Sequence, residues 1–195
     1  MSEAPSSLCF EAAASLDPLQ RLAAWTSVLP GWRRQMLAAV LGVLAAAALP
    51  PVDMVPLLFV AFSGLVWLAG AGSGPRAAFA LGWSFGFGFF IAGFYWIALA
   101  LLVDIASFWW LLPIAIVALP TFFAIFSGLA LLAYDWIDAR GVVGRACALG
   151  LCWTATEWLR GHILTGFPWN LVGYAWSGGF PGAGTVLQST AAVGI

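Results

Sequence analysis

The stretch TEWLRGHILTGFPWNLVGYAW, running from Thr156 to Trp176, decides how the rest of the chain is read. Upstream, the sequence is a series of apolar runs. Here Glu157, Arg160, His162, Asn170 and Tyr174 stand among Trp153, Trp158, Trp169 and Trp176. Amphipathic rings of this kind settle at headgroup depth in a bilayer. Gly166, Pro168 and Gly173 interrupt what would otherwise continue as helix. The pattern predicts a helix that leaves the membrane and ends near Ile163, followed by a loop lying on the surface. Glu157 and Arg160 are three apart, so they share a helix face and can pair, which lowers the cost of holding either charge near hydrocarbon. His162 points elsewhere, since five residues turn a helix by about 140° from Glu157.

The composition agrees with this reading. Of 195 residues, 63% are hydrophobic and 8% charged, too little polar surface for a soluble domain of this size. The seven cations are all arginine and the net charge is −1, which leaves no basic face for nucleic acid. Cys9, Cys147 and Cys152 make no disulfide framework. Cys147 and Cys152 read as small hydrophobes of an apolar helix. Cys9 lacks the preceding apolar run of a lipid-modified cysteine, and residues 1–30 lack the pattern of a signal peptide.

Taken outward from the focal stretch, the fold class is an all-α integral membrane protein. It is a polytopic bundle of five transmembrane helices plus the start of a sixth, with an outer-facing aromatic loop. Residues 1–31 form an amino-terminal segment with an interfacial helix after Asp17-Pro18. Residues 32–163 hold the five spans, 164–184 the interfacial loop, and 185–195 the start of a sixth span. The apolar runs are Met36 to Leu49, Val55 to Ala71, Ala77 to Val103, Phe108 to Ala133, and one from Ala146. In the third, Gly82, Gly86 and Gly93 fall within about 40° on a helical wheel, beside an aromatic stripe of Trp83, Phe87, Phe90 and Phe94. Such a small-residue face lets another backbone approach closely. Pro113 and Pro120 should bend the fourth run. With five alternating spans, Arg21, Arg33, Arg34, Arg76, Arg140 and Arg145 fall on the amino-terminal side and only Arg160 opposite. The amino terminus is then cytoplasmic, and the short loops at Asp53 and Asp104 converge with the focal loop on the outer side.

The strings EWLRG (Glu157 to Gly161), LTGFPW (Leu164 to Trp169) and the pair Gly173-Tyr174 resemble the matching segment of apolipoprotein N-acyltransferases. These are bacterial inner-membrane enzymes that add a third acyl chain to lipoproteins. The resemblance runs from about Gln35 onward and covers the first part of the family's usual length. It implies a membrane bundle joined to an outer nitrilase-like domain carrying a Glu, Lys and Cys triad. This sequence has no lysine, so no triad member carries over and no catalytic residue is assigned.

The resemblance further implies ping-pong transfer, in which a thioester forms from a phospholipid acyl donor and passes to the amine of a diacylated lipoprotein acceptor. The membrane part would then guide lipids, with Glu157, Arg160, Trp169, Asn170 and Tyr174 as candidate substrate-binding residues. No cofactor or metal is expected, and the 195 residues read as an amino-terminal piece that is inactive alone. The alternative is a noncatalytic polytopic membrane protein, either a transporter or a lipid-binding scaffold. Transport is disfavoured, because Asp53, Asp104, Asp135 and Asp138 all lie at or beyond the ends of the apolar runs.

Overall fold

The computed structural model describes residues 29–70, 74–137, 139–163, 166, 170–177, 185 and 188. The proposed interfacial helix, Cys9, Arg21, Asp138, Trp169 and most of the expected sixth span lie outside these residues. Every regular element among the described residues is helical. In order they are α1 (Gly31–Ala46), α2 (Pro56–Gly70), α3 (Pro75–Gly93), α4 (Tyr95–Leu102), α5 (Ile105–Phe108), α6 (Leu119–Asp135) and α7 (Gly141–His162). A 3₁₀ turn at Trp109–Leu111 and a π turn at Ile114–Ala118 lead into α6, and a 3₁₀ turn at Val172–Ser177 follows α7.

Two helical segments are long and apolar enough to cross a membrane, Pro75–Leu102 and Ile105–Asp135, while the apolar α2 is shorter. The first, at 28 residues, would measure about 42 Å if straight, well beyond a hydrocarbon core of about 30 Å. Phe94 departs from helical dihedrals between α3 and α4 (φ −97°, ψ 9°), and α3 by itself, at 19 residues, has about crossing length. In the second segment Pro113 and Pro120 bracket the π turn, as expected where a missing N–H breaks the hydrogen-bond ladder.

Helix α3 is the centre of the bundle because it is narrow on two sides. Towards α6, a Cβ on Gly82 would overlap the Ser127 carbonyl, and one on Gly86 would lie 2.6 Å from the Ser127 Cβ. Towards α1, a Cβ on Gly88 would overlap the Ala39 carbonyl, while one on Gly42 of α1 would overlap the Phe85 carbonyl. The first face was expected from the spacing of the glycines. The second was not, since Gly88 lies off the Gly82–Gly86–Gly93 face and Gly42 sits within a uniformly apolar run. Phe85 and Phe89 of α3 are fully enclosed between the neighbouring helices.

Two further differences bear on the site. Helix α7 begins at Gly141, five residues before the apolar run, because Gly141 takes φ +72° after the extended Arg140. This places Arg145 inside the helix. Trp153, expected at headgroup depth, is buried in the core, edge-on to Phe62 at 4.9 Å and to Phe85 at 5.5 Å.

The bundle has distinct ends. Arg34 of α1 donates from Nη2 to the Leu68 carbonyl near the end of α2 (2.5 Å), and Arg145 of α7 lies against Gly70, its final residue. Cations at a helix carboxyl end meet its unsatisfied carbonyls and its negative dipole end. The opposite end carries the turn after α1, the start of α2, the α3–α4 bend and the end of α7.

Candidate functional site at the arginine-poor end of the bundle

Helix α7 closes with Arg160 and His162 in its last turn and stops at Ile163, which is extended (φ −89°, ψ 161°). Gly166 (φ +70°) and Asn170 (φ +55°) are the left-handed positions that turn the chain back. Glycine has no Cβ to clash there, and asparagine tolerates that region better than most residues. The returning segment forms the 3₁₀ turn Val172–Ser177, with Leu171 and Ala175 buried beneath it.

Glu157 and Arg160 hold this turn in place. The Val172 N–H donates to Glu157 Oε1 at 3.0 Å, and Arg160 Nη2 lies 3.8 Å from the same oxygen. Arg160 Nη2 also donates to the Asn170 carbonyl at 3.4 Å. Its guanidinium carbon stands 5.0 Å from the Phe90 ring centre and 6.0 Å from that of Phe123. Phe90, Phe94 and Phe123 contact one another at 5.3 to 5.7 Å, giving the cation a floor of aromatic faces. Glu157 is 8% exposed and Arg160 2%. A charge pair this deep needs its mutual attraction and its added hydrogen bonds to offset desolvation. Both reach out from α7 to the returning chain.

Asn170 and Tyr174 lie over the pair. The Asn170 amide packs on Gly93 at the α3–α4 bend, where a Cβ would overlap its nitrogen. Both residues line a cleft of about 840 Å³. Its other walls are Val43 and Ala46 of α1, the turn that follows from Ala47 to Val52, and Tyr95 and Trp96 of α4. Such a volume lies in the range of small-molecule and lipid-chain sites. Tyr174 is 41% exposed, so its ring is available at the cleft mouth.

Of the five candidates, Glu157, Arg160, Asn170 and Tyr174 are thus brought together, the first two buried and the last two at a cleft. Trp169 lies outside the described residues. His162 is exposed, stacked on Trp158 at 4.3 Å, with Nδ1 2.7 Å from the Trp158 carbonyl oxygen. Asp104 caps α5, accepting from the Ser107 N–H at 3.4 Å, and does not line the cleft. Sequence reasoning missed Tyr95 and Trp96 and read Gly93 as part of a helix-packing face. The aromatic pair inside the third apolar run was a signal available for the first two.

The profile of the apolipoprotein N-acyltransferase N-terminal domain matches residues 41–194. The chain belongs to the apolipoprotein N-acyltransferase family. It is 45% identical over 186 residues to the apolipoprotein N-acyltransferase of Allorhizobium ampelinum, covering 91% of this chain and 34% of that protein. The enzyme of that name from Rhodopseudomonas palustris is 44% identical over 164 residues, 80% of this chain and 30% of its own length. The one from Brucella suis is 41% identical over 186 residues, 91% of this chain and 34% of its own. The chain therefore spans about a third of these curated relatives. The matched region includes Glu157, Arg160, Asn170 and Tyr174.

Proposed function

We propose that this chain is the membrane portion of an apolipoprotein N-acyltransferase and that its cleft guides lipid to the reaction. The complete protein moves an acyl chain from a phospholipid to the amine of a diacylglyceryl-cysteine lipoprotein, in the bacterial inner membrane. Five spans cross the bilayer, formed by α1, α2, α3, the segment ending in α6, and α7, with the amino terminus cytoplasmic. The observation that carries this reading is the cleft of about 840 Å³ beneath Asn170 and Tyr174. It opens at the end of the bundle opposite Arg34 and Arg145, where an outer-leaflet lipid presents its ester region.

The chain's own residues divide the work. Tyr174, Tyr95 and Trp96 have the amphipathic rings suited to an acyl chain below and a headgroup above. Asn170 offers an amide to polar atoms near the ester, and Trp169, its neighbour in sequence, is assigned to lipid contact with it. Glu157 and Arg160 act from beneath, holding Asn170 and Val172 so that the turn keeps its place. Fixing a lipid's reactive end at the surface contributes to rate through proximity. Covalent chemistry belongs to the rest of the enzyme, and the 195 residues alone are inactive. The alternative of a transporter finds less support, since Glu157 and Arg160, the buried charges of the described residues, are tied to each other and to backbone.

The test is steady-state transfer to a diacylated lipopeptide by the full-length enzyme carrying Tyr174→Ala or Asn170→Ala. A KM for lipid raised several-fold with kcat little altered is expected. Unchanged kinetics in both variants would refute a lipid-guiding role for this cleft.

A further inference from the structure

Gly93 lies on the same face of α3 as Gly82 and Gly86, but its neighbour differs. The first two admit the close approach of α6, whereas the three atoms nearest to a Cβ built on Gly93 all belong to the Asn170 side chain. Such a Cβ would overlap Asn170 Nδ2 and stand 3.1 Å from its Cγ. The glycine face that packs two helices together near the middle of α3 therefore ends, at the last residue of that helix, as a seat for one amide.

The rest of Asn170 is held from the other side. Its φ of +55° is a left-handed conformation, and its carbonyl accepts from Arg160 Nη2 at 3.4 Å. Leu171, next in the chain, is buried. Among the described residues the side-chain amide has no hydrogen-bond partner, and its atoms are not sealed off from the cleft. Gly93 and Asn170 both line the cleft of about 840 Å³. The amide is thus fixed in place with its hydrogen-bonding capacity unspent. The described residues that line the cleft carry no charge, so a neutral acceptor suits it, whereas a phosphate would be desolvated there with no cation to offset the cost.

We infer that Gly93 is a positioning residue: by leaving its Cβ space empty, it holds the Asn170 amide where it donates to a glyceryl ester carbonyl of the bound lipid. This role rests on the lipid-guiding cleft proposed above and names the atom recognised there.

Full-length enzyme in detergent micelles, with no acceptor present, is loaded with a photoreactive diether phospholipid, which has no ester carbonyl. Unlabelled diester or diether phosphatidylglycerol then displaces it. The readout is the ratio of the two displacement midpoints, because a general loss of packing would shift both together. Wild-type protein should prefer the diester about fivefold, the contribution of one neutral hydrogen bond. Gly93→Ala should abolish that preference. Asn170→Ala should do the same, and the double variant, in which the overlap is relieved, should add nothing to it. Asn170→Gln keeps the amide but carries it one methylene beyond the seat, so it too should lose the preference; it decides the matter if Gly93→Ala does not fold. A preference retained in Gly93→Ala or in Asn170→Gln overturns the role of Gly93, and so does equal affinity for the two lipids in the wild type. Tyr174→Ala tests the cleft separately, since it should raise both midpoints together. Midpoints raised in that variant, with no diester preference in the wild type, leave the lipid-guiding cleft standing and refute the role of Gly93. A diester preference that Gly93→Ala abolishes, with midpoints unmoved by Tyr174→Ala, upholds Gly93 and counts against the part given to Tyr174.

Discussion

Removing Glu157 alone should harm this protein more than removing Glu157 and Arg160 together. Glu157→Leu leaves the guanidinium 2% exposed, with the Asn170 carbonyl and two aromatic faces but no carboxylate. Breaking a buried pair in this way costs about 3–5 kcal/mol. Arg160→Met strands the carboxylate with the Val172 N–H and the neighbouring Trp153 indole, at a similar cost. The double variant removes both charges and leaves an apolar pocket of similar volume, so its main penalty is the unsatisfied Val172 N–H, about 1–3 kcal/mol. Each single change should therefore be the less stable, and the double change should recover about 2 kcal/mol relative to either, a strongly non-additive cycle. The assay is the thermal midpoint of full-length protein in detergent, with hydrogen exchange at the Val172 amide reporting the turn directly. Additive losses, or a neutral Glu157→Leu, would refute the claim that this is a buried, mutually dependent pair.

Two other outcomes follow from the packing and from the arginines. Gly88→Ala places a Cβ against the Ala39 carbonyl and should lower stability by about 2 kcal/mol or more, whereas Gly144→Ala, whose Cβ meets nothing, should be neutral or gain about 0.5 kcal/mol; equal thermal midpoints would contradict the close α1–α3 approach. With native cysteines replaced by alanine, a membrane-impermeant maleimide should label Val52→Cys in intact spheroplasts, and Trp136→Cys only after permeabilisation. The reverse pattern would invert the orientation.

Much of this architecture was legible in the sequence, for physical reasons that differ by element. Both ends of α2 and the carboxyl end of α7 follow from Pro, Gly and hydrophobic runs, which act locally. The Glu157–Arg160 pair was legible from its i, i+3 spacing. Its burial was not, because that depends on the chain turning back after Gly166 to deliver the Asn170 carbonyl and the Val172 N–H. Gly82 and Gly86 announce a contact face by their spacing. Gly42 and Gly88 form theirs across two helices, each flanked at i±4 by Ala or Ser rather than by a second glycine, a weaker signal than the Gly82–Gly86 pair. Trp153 was placed at the interface because tryptophan favours that depth on average. Its ring instead fills space between Phe62 and Phe85, a demand set by α2 and α3. The break at Phe94 was missed because the third run stays apolar through it. Beside it, Gly93 leaves room for the Asn170 amide, a contact between distant segments that sequence periodicity does not register.

The most direct measurement on the central claim is a photo-crosslink from the turn itself. A benzophenone amino acid placed at Tyr174 of the full-length enzyme in vesicles, and illuminated with radiolabelled phospholipid, should yield a lipid adduct. Excess diacylated lipopeptide should compete with it. An adduct absent at Tyr174, while the same group at the exposed Trp158 reacts with lipid, would contradict the assignment of this cleft to the substrates.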